Sequence, residues 1–133
     1  MGLDQHAFAT KHEIAATDGE EIAYWRKHNR LQGWMDALWH AKGNVTSPED
    51  KAGWGTSFNG QPLILTLDDL KALEDAIKGQ TLPATQGFFF GSDSYRDMDA
   101  EGHYSYYQDD VKFIAKAREY ISKGYTVYYA CSW

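Results

Sequence analysis

The chain has 133 residues, enough for one domain with a real core and too few for two ordinary ones. Hydrophobic residues make up 43% and charged residues 24%, a globular balance, and the net charge of -6 disfavours nucleic acid or an anionic membrane as partner. The single cysteine, Cys131, excludes an intrachain disulfide, and no apolar run approaches a membrane span. Residues Leu3–Thr10 predict a first strand, and Thr17-Asp18-Gly19-Glu20 supplies a hairpin turn. Glu21–Arg26 predicts the returning strand, with Ile22 and Tyr24 on one face and Trp25 on the other. Asn29 is placed to cap a helix whose apolar stripe runs through Leu31, Trp34, Met35, Leu38 and Trp39 and stops near Lys42-Gly43.

Residues 43–60 have the composition of a loop, with Pro48 and glycines at 53, 55 and 60. Pro62–Leu65 reads as a short strand. Thr66 and Asp69 have the spacing of a capping box, opening a helix with its stripe at Leu67, Leu70, Leu73 and Ile77 and its stop at Lys78-Gly79. Phe88–Phe90, between glycines, predicts a short buried strand, and Ser92–Gly102 an acidic loop. A third helix is expected from about Tyr104 to Ser122, then a strand over Tyr125–Cys131 that suits a central place in the sheet. The expected architecture is one α+β domain spanning 1–133: a mostly antiparallel sheet of four to five strands with about three amphipathic helices packed against it.

Several segments together resemble a family of small tailed-bacteriophage proteins of unassigned function. They are Met1-Gly2-Leu3-Asp4, Ile22-Ala23-Tyr24-Trp25-Arg26-Lys27, the run from Leu82 to Ser92, and Tyr107-Gln108-Asp109-Asp110. Residues 43–60 match poorly, and the segment Asp97–His103 is longer here. The resemblance implies a viral gene expressed in a bacterium, and carries over no catalytic or binding residue. With no signal-peptide pattern at Met1–His6, the expected location is the cytoplasm of the infected bacterial host.

Chemical templates fit poorly. The five histidines, His6, His12, His28, His40 and His103, have no zinc spacing. Asp97, Asp99, Glu101 and Gly102 imitate half a calcium loop, but its twelfth position is Gln108 rather than a glutamate. Cys131, in an apolar strand, reads as a buried thiol. No phosphate loop or other cofactor motif is present, so neither metal nor cofactor is expected.

The stronger candidates are aromatic and polar. Trp25, Arg26 and His28 lie where a strand meets a helix: Arg26 suits a phosphate or carboxylate, and Trp25 suits a stacked ring. The cluster Arg26, Lys27 and Arg30 is the expected place for an anionic partner. Gln86, Phe88, Ser92 and Tyr95 form a second group. Tyr106 lies at the start of the third helix, whose N-terminus suits an anion. The expected function is capture, without turnover, of a host protein or a small nucleotide-like anion. A virion accessory protein and a small hydrolase of nucleotide-like substrates are the alternatives. Aromatic content of 15% and the apolar final strand also favour a homo-oligomer, a two-fold dimer by default.

Overall fold

A computed structural model describes residues 3–11, 19–42, 62–83, 93–96 and 98–132. The elements in chain order are β1 (Asp4–Thr10), β2 (Glu20–Arg26), α1 (Asn29–Ala41), β3 (Leu63–Leu65), α2 (Leu67–Lys78), α3 (Tyr107–Ser122) and β4 (Thr126–Ser132). The strands form one antiparallel sheet in the order β2-β1-β4-β3, so the chain is an α+β fold with β4 inside the sheet. The loop expected at 43–60 and the strand expected at Phe88–Phe90 lie outside the described residues.

One face of the sheet carries the core. Gln5, Ala7 and Ala9 of β1 alternate inward with Val127, Tyr129 and Cys131 of β4, and all are buried. Against them pack Leu31, Met35 and Trp39 of α1, Leu70, Leu73 and Ile77 of α2, and Phe113, Ile114 and Ala117 of α3. The other face holds a ladder of rings: His6 on Phe8 at 5.8 Å, Phe8 on Tyr128 at 5.3 Å, and His6 against Tyr24 at 4.9 Å. The apolarity of β4 is thus accounted for by its place between β1 and β3. Gly19, before β2, has no room for a side chain: an added Cβ would stand 2.8 Å from both Phe8 Cβ and the Tyr128 hydroxyl.

Several local expectations need correction. Ile22 and Trp25 are both buried while Tyr24 is exposed, so Ile22 and Tyr24 do not share a face. The cause is a bulge: the β1–β2 register shifts between Ala7 and Phe8, opposite Ile22, and the inward phase changes across the extra residue. Asn29 does not cap α1. It lies in the first turn, buried, and its side-chain oxygen accepts the Ser94 N–H at 3.0 Å. Leu67 is exposed and falls off the α2 stripe. Tyr104 precedes α3, in a bridge with Met98 across a turn in which Gly102 takes φ +82. The Thr66 box forms as read: Thr66 Oγ1 accepts from Asp69 N–H, and the Asp69 carboxylate accepts from Thr66 N–H.

Candidate functional site

The junction of β2 and α1 brings four of the sequence-selected residues together, Trp25, His28, Tyr95 and Tyr106. It does so around Asp110, a carboxylate of the third helix to which the sequence reading gave no role. Lys27 adopts a left-handed turn (φ 59), and the next residue, His28, is fully buried. Asp110, in the first turn of α3, is also fully buried. Its Oδ1 accepts the Trp25 indole N–H at 2.9 Å; its Oδ2 meets His28 Nε2 at 2.8 Å and accepts the Tyr104 hydroxyl at 2.5 Å. Three donors on one carboxylate compensate its removal from water. Burial, with the Asp110 charge beside it, pushes the Tyr104 phenol far above its ordinary pKa. The Tyr106 ring lies flat on His28, with centroids 4.4 Å apart. His28 Nδ1 has no hydrogen-bond partner among the described residues.

A second buried chain of bonds runs back through the sheet. The Gln5 amide donates to His28 O and to the Tyr129 hydroxyl, both at 2.9 Å, and its oxygen accepts His28 N–H at 2.8 Å. Tyr129 donates to Gln32 Oε1 at 2.5 Å, and the Gln32 amide reaches Cys131 Sγ at 3.3 Å. Cys131 is the buried thiol expected of it. These polar groups satisfy one another, so they fix α1 and the sheet in one register.

The basic cluster is largely neutralised from within. Arg30 grips Asp93 through two bonds of 2.6 and 2.9 Å, donates to Leu82 O at 2.7 Å, and lies 4.1 Å from the centre of the Tyr95 ring. Arg30, followed by the Tyr95 N–H, holds the Asp93 carboxyl down to about 2. Burial raises the Tyr95 phenol, whose oxygen accepts Leu82 N–H. Arg30 thereby ties both flanks of the segment containing Gln86, Phe88 and Ser92, three candidates that lie outside the described residues. Arg26 is half exposed, 3.5 Å from Asp4, and its backbone oxygen accepts the Tyr106 hydroxyl at 2.5 Å. The α3 N-terminus, expected to suit an external anion, already holds the chain's own Asp109 and Asp110. In the acidic turn, the Asp99 carboxylate accepts the N–H groups of Glu101 and His103, so it serves the turn itself. Asp97 is outside the described residues, among which no three potential metal-ligating side chains converge.

A groove of about 450 Å³ lies open between β2 and α3. Ile22, Ala23, Tyr24 and Trp25 line one side. Four consecutive residues from both faces of a strand indicate that the strand's backbone edge forms this wall. Asp109, Lys112, Phe113, Lys116 and Glu119, spaced three or four apart along one helix face, line the other. Ile22, Trp25 and Phe113 form an apolar floor, with Trp25 and Phe113 packed edge to face at 5.1 Å. Lys112 and Lys116 are exposed and make no ion pair among the described residues.

The sequence reading missed Asp110 and both lysines, and placed Tyr104 only at the start of the third helix. Asp110 had a detectable signal: it lies three, four and seven residues before Phe113, Ile114 and Ala117, on the buried stripe of α3. The lysines had none, because only the sheet order shows that β2 is an edge. No family model, curated protein or solved structure matches the chain.

Proposed function

We propose that the protein is a phage-encoded binding protein that captures a host factor or a small nucleotide-like anion inside the infected bacterium and turns nothing over. The observation that carries this reading is the β2–α3 groove. Its size falls in the usual range for ligand sites, and it joins an apolar floor to two lysines that form no ion pair among the described residues. By contrast, the ionisable groups at the strand–helix junction are spent on one another. Trp25 contributes to the groove floor and bonds Asp110 rather than standing free to stack on a ring. No helix among the described residues is long and apolar enough to cross a membrane.

One observation favours a hydrolase instead. His28 is oriented by Asp110 and keeps Nδ1 without a partner among the described residues, as a general base would. Complete burial of the imidazole under Tyr106 opposes that role, because a substrate needs access to the nitrogen.

The test compares the protein with a Lys112→Glu/Lys116→Glu variant, each incubated with lysate from infected bacteria, recovered and denatured. One small anion or host protein, enriched on the parent and depleted on the variant, is expected. Equal recovery on both, or none on either, overturns the reading. Recovery of virion components alone favours an accessory virion role, and multiple turnovers of a released molecule overturn the claim of simple capture.

A further inference from the structure

From the β2–α3 groove we infer the class of its occupant: a short, extended, acidic peptide that adds as a strand to β2 beside Tyr24. This deepens the binding reading and rests on it. The first support is backbone direction. Lys27 N–H donates to Leu3 O at 2.9 Å, which makes that facing pair a hydrogen-bonded one. Antiparallel pairs alternate, so Trp25 opposite Gln5 and Ala23 opposite Ala7 also turn their backbone groups to β1. Tyr24, opposite His6, therefore turns its N–H and C=O away from β1, towards the groove. Among the described residues no strand pairs with β2 on that side. An extended peptide can meet both groups, as in strand addition to a sheet edge.

The second support is length. The outward carbonyl of Arg26 is already taken by the Tyr106 hydroxyl, and at the other end Tyr120 donates to the Glu20 carboxylate at 2.8 Å. Tyrosines from either end of α3 thus close the groove over the ends of β2. Among the described residues, the stretch around Ile22–Trp25 stays open. Pairing along the whole of β2 with a second copy of this chain would displace Tyr106 from Arg26, whereas a peptide of a few residues fits between the two tyrosines.

The third support is charge. The acidic groups on the helix wall are already met: Glu119 bonds Lys123 at 2.9 Å, and Asp109 lies in the first turn of α3, where the helix end favours it. Lys112 and Lys116, between them and one turn apart, form no ion pair among the described residues, although the Lys116 charge adds to the pull of Lys123 that keeps Glu119 below its ordinary pKa. A carboxylate side chain projecting from the added strand towards α3 meets both.

The experiment uses the full chain and fluorescent pentapeptides of alternating β-branched residues with a central Glu. Companion peptides carry Lys at the centre, or the Glu peptide with an N-methyl group on the amide that would bond Tyr24. Binding is read by anisotropy, with adenosine monophosphate as a separate probe. The Glu peptide is expected to bind, with losses of about tenfold for the Lys peptide, for the N-methyl peptide, and for Lys112→Glu/Lys116→Glu against the Glu peptide. The variant's melting curve is expected to match the parent's, since both lysines are exposed. Equal binding of the Glu and N-methyl peptides overturns strand addition, and equal binding of the Glu and Lys peptides overturns the acidic preference. Binding of adenosine monophosphate alone, lost in the variant, overturns the peptide and leaves the groove as a binding site. Binding of none of the probes, with nothing captured from lysate, overturns both readings.

Discussion

Replacing Asp110 with alanine removes one acceptor from three buried donors at once. Trp25 Nε1, His28 Nε2 and the Tyr104 hydroxyl all end on this carboxylate, and Asp110 is fully buried. An unmet buried donor costs about 1–3 kcal/mol. The three share one acceptor, so their costs do not add in full, and breaking a buried pair from one side costs about 3–5 kcal/mol in total. That is a large part of the roughly 5–15 kcal/mol that holds a domain of this kind together. With a urea slope of about 1–3 kcal/mol per molar, the unfolding midpoint should fall by about 2 M. Tyr104→Phe removes a single donor and leaves Trp25 and His28 in place, so its cost should be about 1 kcal/mol. Asp109→Ala, one residue away and exposed, should cost less than about 1 kcal/mol. An Asp110→Ala protein that unfolds cooperatively within about 1 kcal/mol of the parent would refute the shared-acceptor account.

Thr66→Ala should destabilise by about 1 kcal/mol in the same urea assay, and Thr66→Ser should restore most of it, because either hydroxyl caps α2. Arg30→Lys should cost about 1–3 kcal/mol, since a single ammonium cannot hold both Asp93 oxygens and Leu82 O while lying on Tyr95; a change within error would count against the clamp. Acid should destabilise the fold through carboxylates whose folded-state pKa is depressed. Asp93 is held at about 2 by Arg30 and then the Tyr95 N–H, and Glu74 is lowered chiefly by Arg118. For Asp69, burial pulls upward but is outweighed by Lys42 and the Thr66 N–H. Their contribution is present above the unfolded value of about 4 and is lost as the pH falls towards 2. Melting temperature should therefore drop across that window, and a flat profile would show that these pairs contribute nothing.

Periodicity made most of the fold legible. The stripe Leu70, Leu73 and Ile77, the Thr66 box, and the alternation of Val127, Tyr129 and Cys131 are local patterns, and each is seen where it was read. What was illegible depends on partners distant in sequence. The face of Ile22 turns on its being skipped in the pairing of β2 with β1, between Ala7 and Phe8, which no alternation inside β2 records. Asn29 has the residue type of a cap, but Ser94, 65 positions along, claims its side chain. Asp110 looks like one more acid in an acidic stretch until Trp25, His28 and Tyr104 converge on it. Arg26 and Arg30 look like a free basic patch until Asp4 and Asp93 are brought beside them. Charge in the sequence shows supply, and only the fold shows how much has been consumed.

The place of β4 between β1 and β3 has a consequence for how the chain reaches this state. Asp4 faces Ser132 and Thr10 faces Thr126, so the middle of the sheet joins segments from opposite ends of the chain. Closing so long a loop costs entropy before the pairing rewards it, and such topologies fold slowly. A chain cut before Thr126 would leave the β1–β2 hairpin and the three residues of β3 with no strand to connect them. The same adjacency offers a remedy. A short linker from the end of β4 to the start of β1 would turn the most distant pairing in the sheet into a local hairpin, and new termini could be opened in an exposed turn such as Asp99–Gly102. The permuted chain would keep every contact of the native sheet while meeting its hardest loop closure first and at least cost.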